Sequence, residues 1–529
     1  MRHHLSRLVV GAALILSVFP ASAADEQDTI GRFEIAGFSV QGNTLLSDQA
    51  IQALLAPYTG KNRNFGHVQM ALEALERAYQ RRGYNVVQVV LPEQELNHGM
   101  VHLRVVEAKL SKVRVQGNRT FDEANIRNSL PGLQEGSTPN IADVSSSLKL
   151  VNENPAKKVT LQLQSGAKED EVDATLKVVD DKPWKIGASV DNNGTEVTGD
   201  TYLTVQYQHA NTAGRDHVLG LQYTTTVEEP SRVNVYGVGY HIPLYSLGDS
   251  VDLYASYSDV DSGAVLAGIV DLQVSGKGAV YGARYNHNLR RAGDYESRLM
   301  YGLDYKAYRN NVTLQGIQLG NDVTVHPLSV TYVGAWTLPR SEINFSLMAS
   351  HNIPGGDKGD SAAFNRVRAG ADSSYDILRY SAAYAHALAD DWQVRIGFSG
   401  QYSPDRLIPG EQFGAGGAST VRGFQERDIS NDSGHLLSAE LYTPNLCTGI
   451  DRVTAHCRAL AFYDTARVRR NDPLPGESAR ASIGSVGLGW RMTIEKNMSL
   501  QMDYAQVVDA GGSEGKADKR LHVKLGVTY

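Results

Sequence analysis

The sequence has 529 residues, with 51 Lys+Arg against 58 Asp+Glu, 51 glycines, 26 tyrosines and two cysteines. Its net charge of −7 argues against a nucleic-acid partner, which would favour a basic domain, and two cysteines cannot support a disulfide-rich scaffold. Because 42% of the residues are hydrophobic, the chain is not disordered. A negative mean hydropathy argues against a polytopic helical membrane protein, and abundant glycine and tyrosine are typical of many strands and turns.

Residues 1–23 have the pattern of a signal peptide. A positively charged start precedes an apolar run from Leu8 to Pro20, and a small-x-small cleavage site ends at Ala23. A membrane anchor is the alternative, but a spanning helix needs about 20 apolar residues and this run is shorter. We therefore predict an exported protein, in which residues 24–32 form a short N-terminal segment.

A repeat with an offset of 75 residues organises residues 33–108 and 109–180. Gly42-Asn43 recurs as Gly117-Asn118, each within a Val-Gln-Gly-Asn motif. Each copy is predicted to form a strand, a turn, two helices and two further strands, which is a small α+β module. Modules of this kind bind chains by adding a strand to an exposed sheet edge; the alternative is that they are only spacers.

From residue 181 to residue 529 the helical period disappears, and apolar and polar residues alternate. The pattern predicts a transmembrane β-barrel, an all-β domain of antiparallel strands with one apolar and one polar face. A soluble β-sandwich or propeller fits single strands equally well, but the signal peptide and an even strand count favour the barrel. Sixteen strands are predicted to begin near residues 184, 201, 215, 233, 250, 274, 297, 325, 341, 375, 391, 434, 458, 483, 497 and 520.

The lengths of the connections between strands predict the orientation of the barrel. If the first strand rises from the periplasm, even-numbered connections are short turns and odd-numbered connections are long polar loops. The modules and Tyr529, an aromatic residue in the last strand that we interpret as a terminal strand signal, then lie at the periplasmic side.

The sixth outer loop, residues 403–434, departs from this pattern. It contains a glycine-rich stretch followed by Val421-Arg422-Gly423-Phe424, and a loop of this length is functional or disordered. Two strands later, Phe462 and Asp464 share a face, so an apolar residue points into the polar lumen beside the carboxylate. We predict that the loop covers this face and that Arg422 pairs with Asp464. The alternative is a solvated arginine and a separate lumen aspartate.

Other motifs give little evidence for chemistry. The Gly-Asp-Ser sequences at 248–250 and 359–361 are interpreted as turns rather than nucleophile blocks, because no strand–turn–helix context is predicted around them. We predict no catalytic residue, cofactor or metal site. Cys447 and Cys457, ten residues apart, are predicted to form a disulfide in an oxidising periplasm, with two free thiols as the alternative.

These features together resemble the two-partner secretion transporters of the haemolysin secretion/activation type. The resemblance rests on the signal peptide, two modules that look like POTRA domains, a sixteen-stranded barrel, the Val421–Phe424 motif, and Phe462 with Asp464. Asn154-Pro155 resembles the family signature at the end of the second POTRA domain. Ala466 departs from the family, which usually has glycine there. The family also often begins with a plug helix and linker, for which residues 24–32 are too few.

The resemblance implies that the POTRA domains capture a large, unfolded, β-helical exoprotein, which passes through the barrel to the cell surface. It also implies outer-membrane lipids and the barrel assembly machinery as partners, and a monomeric chain. An assembly factor for outer-membrane proteins, from another branch of the superfamily, is the alternative function. A passive porin is a third possibility, which the repeats and the glycine-rich loop disfavour.

Overall fold

A computed structural model describes residues 31–195, 198–260, 264–267, 272–275, 277–309, 313–314, 317–318, 321–448 and 454–529. The predicted signal peptide and the segment up to residue 30 lie outside the described residues. Within those ranges, none of the helices is both long and apolar enough to cross a membrane. The described chain divides into two compact units: residues 31–81 with Val87–Glu107, and Arg82–Val86 with the described residues from Ala108 to Tyr529.

The first module is a three-stranded sheet covered by two helices. Its main sheet has the order β2-β5-β4, with β2 parallel to β5, and Val68, Leu75 and Tyr79 of its long helix are buried, as the helical period predicts. A small pairing of β1 with β3 is an additional feature. Its elements are β1 (Phe33–Ile35), β2 (Gly37–Gln41), α1 (Asp48–Leu55), β3 (Gly60–Arg63), α2 (Phe65–Arg81), β4 (Val87–Val90) and β5 (Met100–Glu107).

The second module repeats this design. Its sheet has the order β6-β8-β7, with β6 parallel to β8, and Ile126, Val144 and Val151 pack in its core. Asp122 caps its first helix by accepting a hydrogen bond from the Asn125 amide at 2.7 Å. Its elements are β6 (Lys109–Gln116), α3 (Glu123–Asn128), α4 (Ile141–Glu153), β7 (Lys157–Ser165) and β8 (Glu171–Asp180).

The repeated Gly-Asn motif has the same structural role in both modules. Gly42 and Gly117 adopt φ angles of 85° and 88° and lie so close to a neighbouring strand that a side chain would collide with a backbone carbonyl. The turn that follows points its amides at a carboxylate at the end of the last strand. Glu107 accepts from Thr44 and Leu45 at 2.8 and 3.0 Å, and Asp180 accepts from the amides of residues 119–121. The motif is therefore explained by turn geometry.

The remaining residues form a closed antiparallel barrel of sixteen strands. The strand Val323–Val325 continues into β16 across His326, and both segments pair with β15. The strands are β9 (Trp184–Asp191), β10 (Tyr202–Thr212), β11 (His217–Thr226), β12 (Val233–Leu244), β13 (Asp249–Val260), β14 (Lys277–Asn288), β15 (Tyr295–Arg309), β16 (Pro327–Thr337), β17 (Ser341–Asn352), β18 (Asp376–Ala387), β19 (Gln393–Tyr402), β20 (Ser433–Tyr442), β21 (Ala455–Arg469), β22 (Arg480–Ile494), β23 (Met498–Ala510) and β24 (Lys519–Thr528).

The predicted fold class is confirmed, and each predicted strand begins within about three residues of an observed one. One expectation is wrong: a helix, α5 (Ser361–Val367), lies in the connection between β17 and β18. Asp360 caps it by accepting a hydrogen bond from the Ala363 amide at 2.8 Å, so this Gly-Asp-Ser sequence begins a helix. A helix of two turns has too few residues to show a period within a polar loop.

Candidate functional site

The long connection between β19 and β20 folds against the inner face of the barrel. We call residues 403–432 the lumen loop. Within this loop, Phe413–Ala415 pairs with Ile429–Asn431, and the segment between these two short strands carries the Val-Arg-Gly-Phe motif. Val421 and Phe424 are fully buried and Arg422 is 5% exposed. The tip of the loop is therefore packed rather than solvated.

The guanidinium group of Arg422 binds the Asp464 carboxylate with two hydrogen bonds. Nε donates to Oδ2 at 2.6 Å and Nη2 donates to Oδ1 at 2.8 Å, and the Arg422 backbone amide donates to the same carboxylate at 3.3 Å. The guanidinium carbon lies 3.5 Å from the centre of the Phe462 ring, a cation–π contact. The structure thus brings together Arg422, Asp464 and Phe462, which the sequence analysis had singled out.

Two further carboxylates surround this pair. Arg422 Nη1 lies 2.8 Å from Glu440 and 3.4 Å from Asp503. Glu440 projects from β20, the neighbour of β21, and Asp503 projects from β23, which β22 separates from β21. Asp503 is also bound by Arg491, with two contacts of 2.9 Å. The tip of the lumen loop is therefore held by a charged cluster that spans several strands of the barrel wall.

The apolar residues of the motif pack into a cluster on the inner wall. Val421 and Phe424 contact buried residues of β21, β22 and β23, including Ala466, Ile483 and Val507. Ala466, where the family usually has glycine, is accommodated in this core. Gly423 has a φ of 95°, and its amide donates to His522 Nε2 at 3.0 Å. An apolar cluster and a charged cluster thus hold the two sides of the same tip.

A second charged cluster holds the stem of the lumen loop. Glu411 is buried and accepts hydrogen bonds from Lys306 at 2.9 Å and Tyr308 at 2.6 Å. At the end of the loop, Asp432 is buried and binds Arg368 beside α5 with two hydrogen bonds. Sequence analysis missed these partners, because the strands and loops that carry them lie far away along the chain.

A buried ion pair joins the second module to the periplasmic turns of the barrel. Lys157 Nζ at the start of β7 lies 2.6 Å from Asp216, and both side chains have at most 1% exposure. Asn125 and Tyr245 also hydrogen-bond to Asp216, at 2.9 and 2.8 Å. Burial lowers the pKa of Lys157, and the charge of Asp216 opposes this shift. The module and the barrel are thus docked through a network centred on two buried charges.

The predicted family signature Asn154-Pro155 lies at this junction. The Asn154 side chain donates to the Ala210 carbonyl of β10 at 2.7 Å and accepts from the Ala156 amide at 2.9 Å. It is buried, whereas Pro155 is exposed. Asn154 therefore connects the end of α4 to the barrel wall.

The remaining predicted residues lie near the periplasmic side of the barrel. Cys447 and Cys457 form a disulfide with a Cα–Cα distance of 5.2 Å. The backbone of Tyr529 exchanges hydrogen bonds with Ile186 at 2.8 and 3.0 Å, which continues the pairing of β24 with β9. In the described part of the chain, no group of three or more His, Cys, Asp or Glu side chains is arranged to hold a metal ion.

Comparison with known proteins identifies the family to which this architecture belongs. The model of the haemolysin secretion/activation protein family ShlB/FhaC/HecB matches residues 170–492, more than half of the sequence. The chain belongs to this family. The ShlB-type POTRA domain matches residues 33–108. The protein is therefore an outer-membrane transporter of the two-partner secretion type, with its POTRA domains in the periplasm, and its family implies a secreted exoprotein as the partner.

Relatives align over most of the chain. Outer membrane transporter CdiB of Escherichia coli is 26% identical over 450 residues, which cover 81% of this chain and 72% of that protein. Hemolysin transporter protein ShlB of Serratia marcescens is 25% identical over 497 residues, covering 90% and 84%. The structure of CdiB from Escherichia coli has a TM-score of 0.75 at 21% identity, covering 97% of this chain and 93% of that chain. At this identity the structural likeness shows the fold.

Proposed function

We propose that the transporter binds its exoprotein in an unfolded state at the edges of the POTRA sheets, and passes it through a lumen that the lumen loop closes at rest. The contact between Arg422 and Asp464 carries the proposal, because it fixes the tip of a long loop to the wall of the pore. The proposal requires no cofactor or catalytic step. It assigns one chain to each pore, with a large β-helical exoprotein, outer-membrane lipids and the barrel assembly machinery as partners.

The charged cluster is suited to a contact that breaks and reforms. Burying an ion pair costs desolvation energy that nearly cancels its Coulombic attraction, so water that enters an opened lumen compensates much of the loss. After Arg422 leaves, Asp503 keeps its bonds to Arg491 and Asp464 keeps the Ser438 hydroxyl at 2.7 Å. Neither carboxylate is left without a donor, and the wall of the pore stays intact while the tip moves.

The edge of β7 supports strand addition by the second POTRA domain. Among the described strands, β7 pairs with β8 alone, on one of its two sides. On the other side, the Asn152 side chain covers both the amide and the carbonyl of Val159, at 2.7 and 3.0 Å. Because successive residues of a strand alternate, Leu161 and Leu163 present their backbone groups to the same open side. An extended segment of the exoprotein can pair there, beginning where Asn152 ends.

Replacement of Arg422 tests whether its contact with Asp464 holds the lumen loop in place. In Arg422→Ala the barrel should still fold and insert, measured by its heat-modifiable mobility, while secretion of the exoprotein falls sharply because the loop tip loses its fixed position. Arg406→Ala is the matched control, since Arg406 lies in the same loop and pairs with the exposed Asp472. Normal secretion by Arg422→Ala would show that secretion does not depend on the contact between Arg422 and Asp464.

Replacement on the open edge of β7 tests capture. Leu163→Pro removes an outward-facing amide but keeps the bonds to β8, because proline is tolerated at the free side of an edge strand. Leu163→Ala loses the same apolar contacts but keeps the amide. We expect exoprotein binding to fall in the proline variant and to persist in the alanine variant. Equal binding by both variants would contradict strand addition at this edge.

A further inference from the structure

Three arginines form a basic groove on the outer surface of the barrel, near the end where the long loops lie. Arg467 and Arg469 of β21 and Arg480 of β22 are exposed, and the inward-facing residues between them, such as Val468, are buried. Tyr402 and His435 line the same groove, which has a volume of about 730 Å³. The arginines therefore point away from the lumen and towards the membrane surface.

The described part of the protein does not balance the positive charges of this groove. Arg469 and Arg480 are direct cross-strand partners, and like charges in that position destabilise a sheet. Among the described residues, no carboxylate lies within ion-pair distance of these three arginines; the nearby Asp509 accepts a hydrogen bond from Ser482 at 2.6 Å. By contrast, Arg458 and Arg491 of the same two strands each bind a carboxylate.

An apolar surface continues from the groove towards the periplasmic side. On the same outer face, Tyr463 pairs with Val486, and Leu488 is 67% exposed. A barrel in the outer membrane presents such residues to acyl chains. A ligand of this surface thus needs an anionic headgroup next to hydrocarbon chains.

We propose that this groove binds a phosphorylated glycolipid of the outer leaflet, such as lipid A. The guanidinium groups bind its phosphates, because arginine forms charge-assisted and often bidentate hydrogen bonds with phosphate oxygens. The acyl chains lie along Tyr463 and Leu488, and Tyr402 borders the sugar. The inference rests on the outer-membrane location and is independent of how the lumen loop works.

Binding of defined lipids to the full-length protein tests the proposal. Native mass spectrometry in detergent compares bisphosphorylated lipid A with lipid A stripped of its phosphates, with phosphatidylglycerol and with inorganic phosphate. We expect the intact protein to retain bisphosphorylated lipid A at least tenfold better than each of the other three. The triple variant Arg467→Gln/Arg469→Gln/Arg480→Gln should lose at least tenfold in retention.

A second triple variant controls for charge alone. Arg290→Gln/Arg291→Gln/Arg340→Gln removes the same charge from periplasmic turns and should retain lipid A as the parent does. Heat-modifiable mobility identifies folded barrels in both variants. Equal retention by the two variants, equal retention of the dephosphorylated lipid, or full competition by inorganic phosphate at the same molar concentration would overturn the proposal.

Discussion

The buried cations at the module–barrel junction and at the tip of the lumen loop have different surroundings. Lys157 at the junction between module and barrel contacts one carboxylate, the Asn125 side chain and the ring of Phe121, and neither Lys157 nor Asp216 is exposed. Arg422 at the loop tip contacts three carboxylates and an aromatic ring. At the junction, loss of Lys157 leaves Asp216 with the neutral donors of Asn125 and Tyr245. In the lumen, loss of Arg422 leaves Asp503 bound to a cation, Arg491.

This difference suits the Lys157 contact to a permanent junction and the Arg422 contact to one that opens. A buried pair with one counter-ion is costly to break, because the charge left behind is neither paired nor hydrated. A cluster with shared partners, beside a lumen that water enters, loses less when one member leaves. We therefore expect variants at the junction to unfold or undock the second module, and variants at the loop tip to change the pore.

The largest effect is expected from Lys157→Met, which leaves the buried Asp216 without its cationic partner. The cost should be about 3–5 kcal/mol, measured as earlier unfolding of the second module and faster protease cleavage of residues 180–183. The double variant Lys157→Met/Asp216→Leu removes both charges and should recover most of the loss. A single variant as stable as the parent would show that the joint does not depend on this pair.

A smaller effect is expected from Arg422→Lys, which keeps the charge but loses the fork that binds both oxygens of Asp464. Loss of a hydrogen bond to a charged group costs about 1.5–3 kcal/mol, which is roughly tenfold or more in the ratio of open to closed pores. Single-channel conductance in planar bilayers measures this ratio. The control Arg406→Lys should conduct like the parent. An unchanged ratio in Arg422→Lys would show that charge alone holds the tip.

Asn154→Ala should weaken the junction by about 1–3 kcal/mol, because the Ala210 carbonyl and the Ala156 amide lose their buried partner. Hydrogen exchange of the Ala156 amide in the full-length protein measures the loss, and the pore conductance should not change. If the conductance of Asn154→Ala rose as in the loop variants, the module–barrel junction and the contact of Arg422 in the lumen would be coupled rather than independent.

The smallest effect is expected from acid. Amide hydrogen bonds hold the pKa of Asp180 below its ordinary value, although its partial burial opposes this. A carboxyl with a lowered folded-state pKa stabilises the fold above its ordinary pKa of about 3.9, and the contribution is lost as the pH falls through the folded value. Exchange protection of residues 119–121 should therefore fall below about pH 4, and Asp180→Asn should lack this step. A step of equal size in Asp180→Asn would assign it to another group.

Strand positions could be predicted from the sequence because a barrel wall imposes a strict alternation on each strand. The same alternation places Glu440 and Asp503 on the inner face, but it does not tell which inner residues meet, since that depends on the stagger between distant strands. Asp464 was recognisable because Phe462 shares its inner face, where an apolar side chain needs cover. No such anomaly marks the partners of Lys157, which has the sequence pattern of an ordinary strand residue.

The hydrogen bond from Gly423 to His522 has a consequence for how the barrel is built. It joins residues 99 positions apart and connects the loop tip to β24, the strand that completes the ring against β9. A slip of one residue in that pairing would turn His522 to the lipid and Leu521 to the interior, and the bond to the loop would be lost. The contact between the loop tip and β24 therefore forms only when the final strand has its correct register. Closure of the barrel and packing of the lumen loop inside it thus depend on each other.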